Sequence, residues 1–369
     1  MKPDTPSMTF ANSGRTPWWS WTWPTVALLI LVVHFAHRPS TVLIAAEALA
    51  LIATVFAAVY HAEVVALRVG EPFGTLVLAL AVTTIEVALI VSMMIAGGTD
   101  TAGLARDTLF AAVMIVCNGI IGICLLAGGL RHHEQTFQLR GANAALSVLI
   151  ALTTLTLVFP NVTTTTAGPT FSRSQLTFAA IVSLTLYGSF LFVQTVRHRD
   201  YFLPVGEEGD KAHAPPPPNK VALVSAGLLL GSLVVVVALA KALTPTVEHG
   251  IEAVGAPKSV VGIIIAGLVL LPEGLAAYRA ASANRLQTSV NLALGSALAS
   301  IGLTIPAVAA ISLLLGKPLT LGLDPKEEVL LAVTLVVSVL TLGTGRTTVL
   351  QGIVHLIIFA VFLFLAVAP

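Results

Sequence analysis

Apolar residues run along this chain in stretches of about the length that crosses a bilayer, parted by short polar segments. Roughly 20 consecutive apolar residues span the hydrocarbon as an α-helix. Eleven stretches fit: about 23–37, 41–67, 72–96, 105–130, 141–159, 174–196, 221–243, 257–280, 286–315, 327–343 and 347–368. A membrane β-barrel would show short alternating segments instead. The pattern therefore predicts an all-α polytopic membrane protein with about 11 transmembrane helices. One sizeable polar insert, 197–220, follows the sixth stretch and carries Glu207, Glu208, Asp210 and the run Pro215 to Pro218. A proline run favours extended polyproline geometry and makes a semi-rigid linker. With the first helix set aside, five spans lie on each side of the insert. An odd number of spans per half forces the halves into opposite orientations, the inverted-repeat arrangement of many transporters, whose sites lie near the midplane. The expected organisation is a polar tail (1–22), an extra helix (23–40), a first five-helix repeat (41–199), an acidic, proline-rich linker (200–220) and a second five-helix repeat (221–369).

Composition agrees: 56% of residues are hydrophobic and 10% charged, where a soluble domain carries about a quarter charged. A net charge of +1 without a basic block gives no footing for nucleic acid, so the partner surface is the lipid bilayer. The four tryptophans, Trp18, Trp19, Trp21 and Trp23, form one cluster and read as an interfacial anchor. The first apolar run begins late and follows these tryptophans, so no cleavable signal peptide is expected. With the N-terminus inside, twelve of the 19 Lys and Arg residues fall on the cytoplasmic side. That bias favours a cytoplasmic N-terminus and a cytoplasmic linker. Cys117 and Cys124 share one apolar run, about 10.5 Å apart along a helix, too far to bridge, and read as core packing.

Two glutamates change the picture. Glu86 lies in the apolar run Leu76 to Met94, and Glu273 follows Pro272 in Gly262 to Ala281. A carboxylate at such depth is costly and marks an ion or proton pathway. Each occupies the second span of its half, so the two are expected to form one site. Thr83 precedes Glu86. The following spans carry Asn118 and Gly119 in the first half, and Asn291, Gly295, Ser296 and Ser300 in the second. Aligning the glutamates leaves Asn118 near Ser300. Hard cations take oxygen ligands of these kinds. The mid-span proline removes a helical hydrogen bond near Glu273, and freed carbonyls at broken helices line transporter sites. Arg279, about 9 Å of rise beyond Glu273, raises the alternative of a helix-end ion pair. Glu63, Glu71 and Asp107 are candidate vestibule residues. For the first two, a local ion cluster or helix caps with Arg68 is an alternative, and for Asp107 it is a helix cap. Glu47 reads as packed or interfacial. His132, His133 and Glu134 lack the spacing of a zinc helix motif. Only His34, His61 and His355 lie within or beside spans, too few for a zinc enzyme at depth.

The stretches GEPFGTLVLALAVTTIEVALIVSMM and LPEGLAAYRAASANRLQTSVNLALGSALASIGLTIP resemble the ChaA-type cation/proton antiporters of the Ca²⁺/cation antiporter superfamily, which includes the CAX and sodium/calcium exchangers. The resemblance covers about residues 24–368. Val82-Thr83-Thr84-Ile85-Glu86 departs from the superfamily's Gly-Asn-Ala-Thr-Glu, and Leu270-Leu271-Pro272-Glu273 lacks the Gly-Asn that commonly precedes Pro-Glu. The resemblance implies exchange of Ca²⁺, Na⁺ or K⁺ for protons by alternating access in a bacterial cytoplasmic (inner) membrane. It implies no enzyme activity and no cofactor beyond the transported ions. Glu86 and Glu273 would be the shared carboxylates, and Asn118 and Ser300 oxygen ligands. A cation channel and an intramembrane enzyme using paired carboxylates are the alternatives from other classes.

Overall fold

The computed structural model describes residues 16–36, 40–70, 73–96, 102–203, 216–253, 255, 257 and 259–368. The helices are α1 (Trp18–Ala36), α2 (Thr41–Val69), α3 (Phe73–Ala96), α4 (Leu104–Met114), α5 (Ile121–His132), α6 (Leu139–Thr153), α7 (Arg173–Phe192), α8 (Asn219–Ala253), α9 (Ser259–Ser282), α10 (Leu286–Leu315), α11 (Pro325–Leu342) and α12 (Val349–Val367). A π-helical turn, Ile115–Ile120, joins α4 to α5 without a break, so the twelve helices make eleven rods, in register with the eleven apolar stretches. Among the described residues, ten rods are long and apolar enough to cross a membrane. The other is α11, an 18-residue helix whose first turn is Pro-Lys-Glu-Glu.

The helix ends follow local chemistry. Ser40 caps α2, its hydroxyl accepting from the amide of Leu43. Ser172 with Gln175, Asp324 with Glu327 and Thr348 with Gln351 form reciprocal capping boxes on α7, α11 and α12. α10 closes on Gly316 in the left-handed conformation (φ 62°). Three details differ from the sequence reading. α8 continues ten residues past 243, carrying Pro245 inside it. α9 passes through Pro272 as one helix, and departures from α-helical bonding lie instead at Ile115–Ile120, Thr154–Val158 and Val193–Arg197, where no proline stands. Finally, Gln135–Thr136 (β1) pairs antiparallel with Arg346–Thr347 (β2). These loops are too short for periodicity to register, and they satisfy their backbone groups by pairing with each other.

The chain forms two compact units, one reaching to Ala81 and including α8 up to Leu239, the other taking Val82–Val205 and Ala240–Pro369. In the first, α1 is fastened along α2. His34 Nδ1 donates to Glu47 Oε1 at 2.7 Å, and His61 Nε2 donates to the Ser20 carbonyl at 3.0 Å. Trp19 meets Tyr60 edge to face at 5.3 Å. Trp18, Trp21 and Trp23 remain exposed. Glu63 is half-buried on α2; Glu71, most of the linker and the loop 97–101 lie outside the described residues.

The second unit is built around α10, buried along most of its length and packed by α6, α7 and α9. Small residues let neighbours approach. A Cβ on Gly302 would lie 2.6 Å from Cβ of Tyr187, and one on Gly352 would lie 2.5 Å from the amide nitrogen of Leu126. One end of the unit is tied by bonds from Leu321 and Gly322 amides to the Pro169 carbonyl and from Asn161 to the Leu323 carbonyl. The other end is tied by β1–β2 and by Gln135 Nε2 donating to the Ala281 carbonyl. Cys117 and Cys124 are buried free thiols.

Gly352→Val is expected to cost about 1–3 kcal/mol through overpacking of α12 on α5, read as a lower midpoint of thermal unfolding in detergent. Gly188→Ala on α7, where a Cβ meets open space, is expected to leave the midpoint unchanged.

Candidate functional site

Four residues per step on α10 place Ser296, Ser300 and Thr304 on one face. This hydroxyl stripe meets both glutamates. The Ser296 hydroxyl donates to Glu273 Oε2 in a short hydrogen bond. The hydroxyls of Ser300 and Thr304 act on the carboxyl of Glu86, at a geometry short of a hydrogen bond, so both Glu86 oxygens and the Thr304 hydroxyl are buried without one. Ser296 and Ser300 stand about 6 Å apart along the helix, so one turn of α10 separates the two carboxylate positions.

The two carboxylates differ in environment. Glu86 is 2% exposed, on the same face of α3 as buried Thr83, one turn earlier. Glu273 is half-buried, and Arg279 beyond it on α9 is exposed. Tyr187 of α7, itself buried, stands close enough to Glu273 for its phenol to feel that charge.

The two asparagines are engaged elsewhere. Asn118, in the π turn, donates from Nδ2 to Thr334 Oγ1 at 2.9 Å and meets His355 Nδ1 through Oδ1 at 3.1 Å. Asn291, half-buried, donates from Nδ2 to the Phe202 carbonyl at 2.6 Å and accepts from Gln287 Nε2 at 2.9 Å, a tie between α10 and the end of the first half. Asp107, in the first turn of α4, does not cap it; its Oδ1 accepts from Arg106 Nε at 2.7 Å, and Arg106 also donates to the Gly322 carbonyl at 3.2 Å.

A family model described as sodium/calcium exchanger protein matches residues 39–196 and 224–368. The chain belongs to this family. Family membership covers both halves and leaves the polar insert between them. The chain is 51% identical over 364 residues to the protein y4hA of Sinorhizobium fredii (strain NBRC 101917 / NGR234), covering 97% of this chain and 98% of that one. It is 37% identical over 346 residues to the sodium-potassium/proton antiporter ChaA of Escherichia coli (strain K12), covering 92% and 93%. Its fold is similar to the structure of native YfkE, with a TM-score of 0.74 at 19% identity over 95% of this chain and 100% of that one.

Three polar residues near this exchanger's glutamates or bonded to its π turn are not singled out from the sequence as site residues. Thr304 continues the Ser296–Ser300 spacing and was legible on that ground. Tyr187 and His355 are single polar residues in helices remote in sequence, and only the packing brings them in.

Ser296→Ala removes the donor to Glu273. A hydrogen bond to a charged group is worth about 1.5–3 kcal/mol, so the half-saturating cation concentration is expected to rise about tenfold or more, measured as cation-dependent proton release from reconstituted protein. Asn291→Leu is expected to lower the unfolding midpoint instead, with half-saturation little changed.

Proposed function

We propose that the chain is a cation/proton antiporter of a bacterial cytoplasmic membrane, working by alternating access, with Glu86 and Glu273 as carboxylates that hold either the cation or protons. The observation that carries this is the α10 stripe: Ser296 on Glu273, and Ser300 and Thr304 facing Glu86. Two carboxylates and three hydroxyls in an apolar interior form a hard-oxygen set of the kind that binds Ca²⁺ or an alkali cation. Protons compete for the same oxygens. Interacting carboxylates titrate as a pair, so exchange of two protons per Ca²⁺ keeps the charge of the site constant, whereas Na⁺ or K⁺ displaces one or two.

In this reading residues 41–199 and 221–369 are two repeats of opposite orientation, 200–220 is a cytoplasmic linker, and the N-terminal tail is cytoplasmic. The Lys and Arg distribution supports that orientation. Thr83 lines the Glu86 side. Asp107 belongs to an approach to the site rather than to it, Glu63 and Glu71 stay vestibule candidates on the sequence alone, and Asn118 and Asn291 hold the elements around the site. The Escherichia coli relative is a sodium-potassium/proton antiporter by name; we extend the set here to Ca²⁺ and Na⁺ as shared substrates, with K⁺ third.

The test is reconstitution in proteoliposomes with a pH-sensitive dye inside and a panel of Ca²⁺, Na⁺ and K⁺ outside. An imposed pH gradient is expected to drive Ca²⁺ and Na⁺ against their own gradients, which a channel cannot do. Glu86→Gln and Glu273→Gln are each expected to abolish exchange while the protein still inserts and elutes as a single peak. Full exchange in both variants would overturn the site.

A further inference from the structure

We propose that His355 is a positioning residue for this site: through Asn118 it fixes the π-helical turn Ile115–Ile120, whose opposite face seats the helix bearing Glu273. The inference rests on the antiporter reading and extends it to a residue on α12.

The turn has two faces. On one, Ile115 and Ile120 approach Gly267 and Gly274 of α9: a Cβ on Gly267 would meet Ile115 Cδ1 at 4.0 Å, and one on Gly274 would meet Ile120 Cδ1 at 3.2 Å. Those glycines are seven residues apart, on one face of α9, and Gly274 adjoins Glu273. The other face meets α12. A Cβ on Gly119 would touch the Phe359 ring at 3.3 Å, and one on Gly122 would lie 3.0 Å from Leu356 Cγ and 3.1 Å from His355 Cβ.

These contacts are apolar and permit sliding. The polar links are the Asn118 side chain and the backbone of Cys117 in the same turn, both hydrogen-bonded to His355. Asn118, His355 and Thr334 are 0% exposed and Thr341 is 4%. Asn118 Nδ2 donates to Thr334 Oγ1, so Oδ1 faces His355 as an acceptor, and Nδ1 of the ring carries the hydrogen. Nε2 then accepts from the Thr341 hydroxyl at 3.1 Å. Thr334 passes its own hydrogen to Met114 Sδ at 3.4 Å. The chain of bonds has one polarity and one ring tautomer, and it joins α4, the π turn, α11 and α12. A buried network satisfied in this way admits one arrangement, because any slip leaves polar atoms unpaired in an apolar interior. A π turn carries an extra residue per turn and often marks a functional position. Here it sets where α9 lies, and therefore where Glu273 stands against Ser296.

The test measures equilibrium cation binding to purified protein by calorimetry, with Ca²⁺ and Na⁺ as probes, alongside exchange in proteoliposomes. His355→Leu is expected to weaken binding and raise half-saturation about tenfold, the low end of what groups that orient metal ligands contribute, with the maximal rate within about twofold. His355→Gln can donate to Asn118 and accept from Thr341, and is expected to restore affinity to within about threefold. Asn118→Leu added to His355→Leu is expected to weaken binding no further, since one network is broken once. If His355→Leu does not fold, Thr341→Val, which removes one hydroxyl, is expected to weaken binding about threefold. Unchanged affinity in the variant that folds, or equal loss in the Leu and Gln variants, overturns the inference while wild-type binding persists. Wild-type protein that binds no cation sinks the antiporter reading and this inference with it.

Discussion

A carboxyl buried in a membrane span is costly to leave bare, even with hydroxyls beside it. Glu86 is in that position. A bare charge there costs several kcal/mol even on gentle scales; on the antiporter reading proposed above, a proton and a cation take turns in offsetting that cost. The rest of the second unit can be understood from that constraint. α10 brings hydroxyls, which tolerate either occupant because each can donate or accept. Glu273, half-buried and bonded to Ser296, is the end of the pair that water reaches more easily. On that reading the asymmetry suits exchange, because the more accessible carboxylate meets the incoming ion first.

The frame around this pair is made of glycine contacts and short polar ties rather than large apolar interlocks. Where helices meet through Gly122, Gly302 and Gly352, backbones come close and dispersion replaces a hydrophobic force that lipid would not supply. The loops at both ends are pinned by backbone carbonyls accepting from amides and side chains across the halves, as with Asn161 on Leu323 and Gln135 on Ala281. Such ties cost little sequence and hold register firmly, because a buried polar group without its partner is expensive.

The fold was legible because the lipid-spanning period dominates everything else: each apolar stretch became a rod, α11 included. Glu86 and Glu273 were legible for the same reason, as charges where none is cheap. The serines of α10 were legible from their spacing. The asparagines were not. Asn118 and Asn291 look alike to a reader seeking oxygen ligands, yet their amides go to His355 and Thr334 in one case and to Phe202 and Gln287 in the other. Which partner a side chain finds depends on helix rotation, and nothing local encodes that. The π turn at Ile115–Ile120 was equally silent, since a hydrogen-bond shift within a continuous apolar run leaves no break in the pattern, while Pro272, the obvious suspect, leaves α9 whole.

The clasp between α1 and α2 has its own consequence. Glu47 is 1% exposed and its carboxylate rests on His34, a residue of the other helix. The first helix thus supplies the hydrogen-bond partner of a buried acid as well as a membrane span. A lineage that shed it would have to change Glu47 in the same step, because the buried carboxyl would lose its partner. The extra helix and the buried acid are one heritable trait, written at two places in the chain.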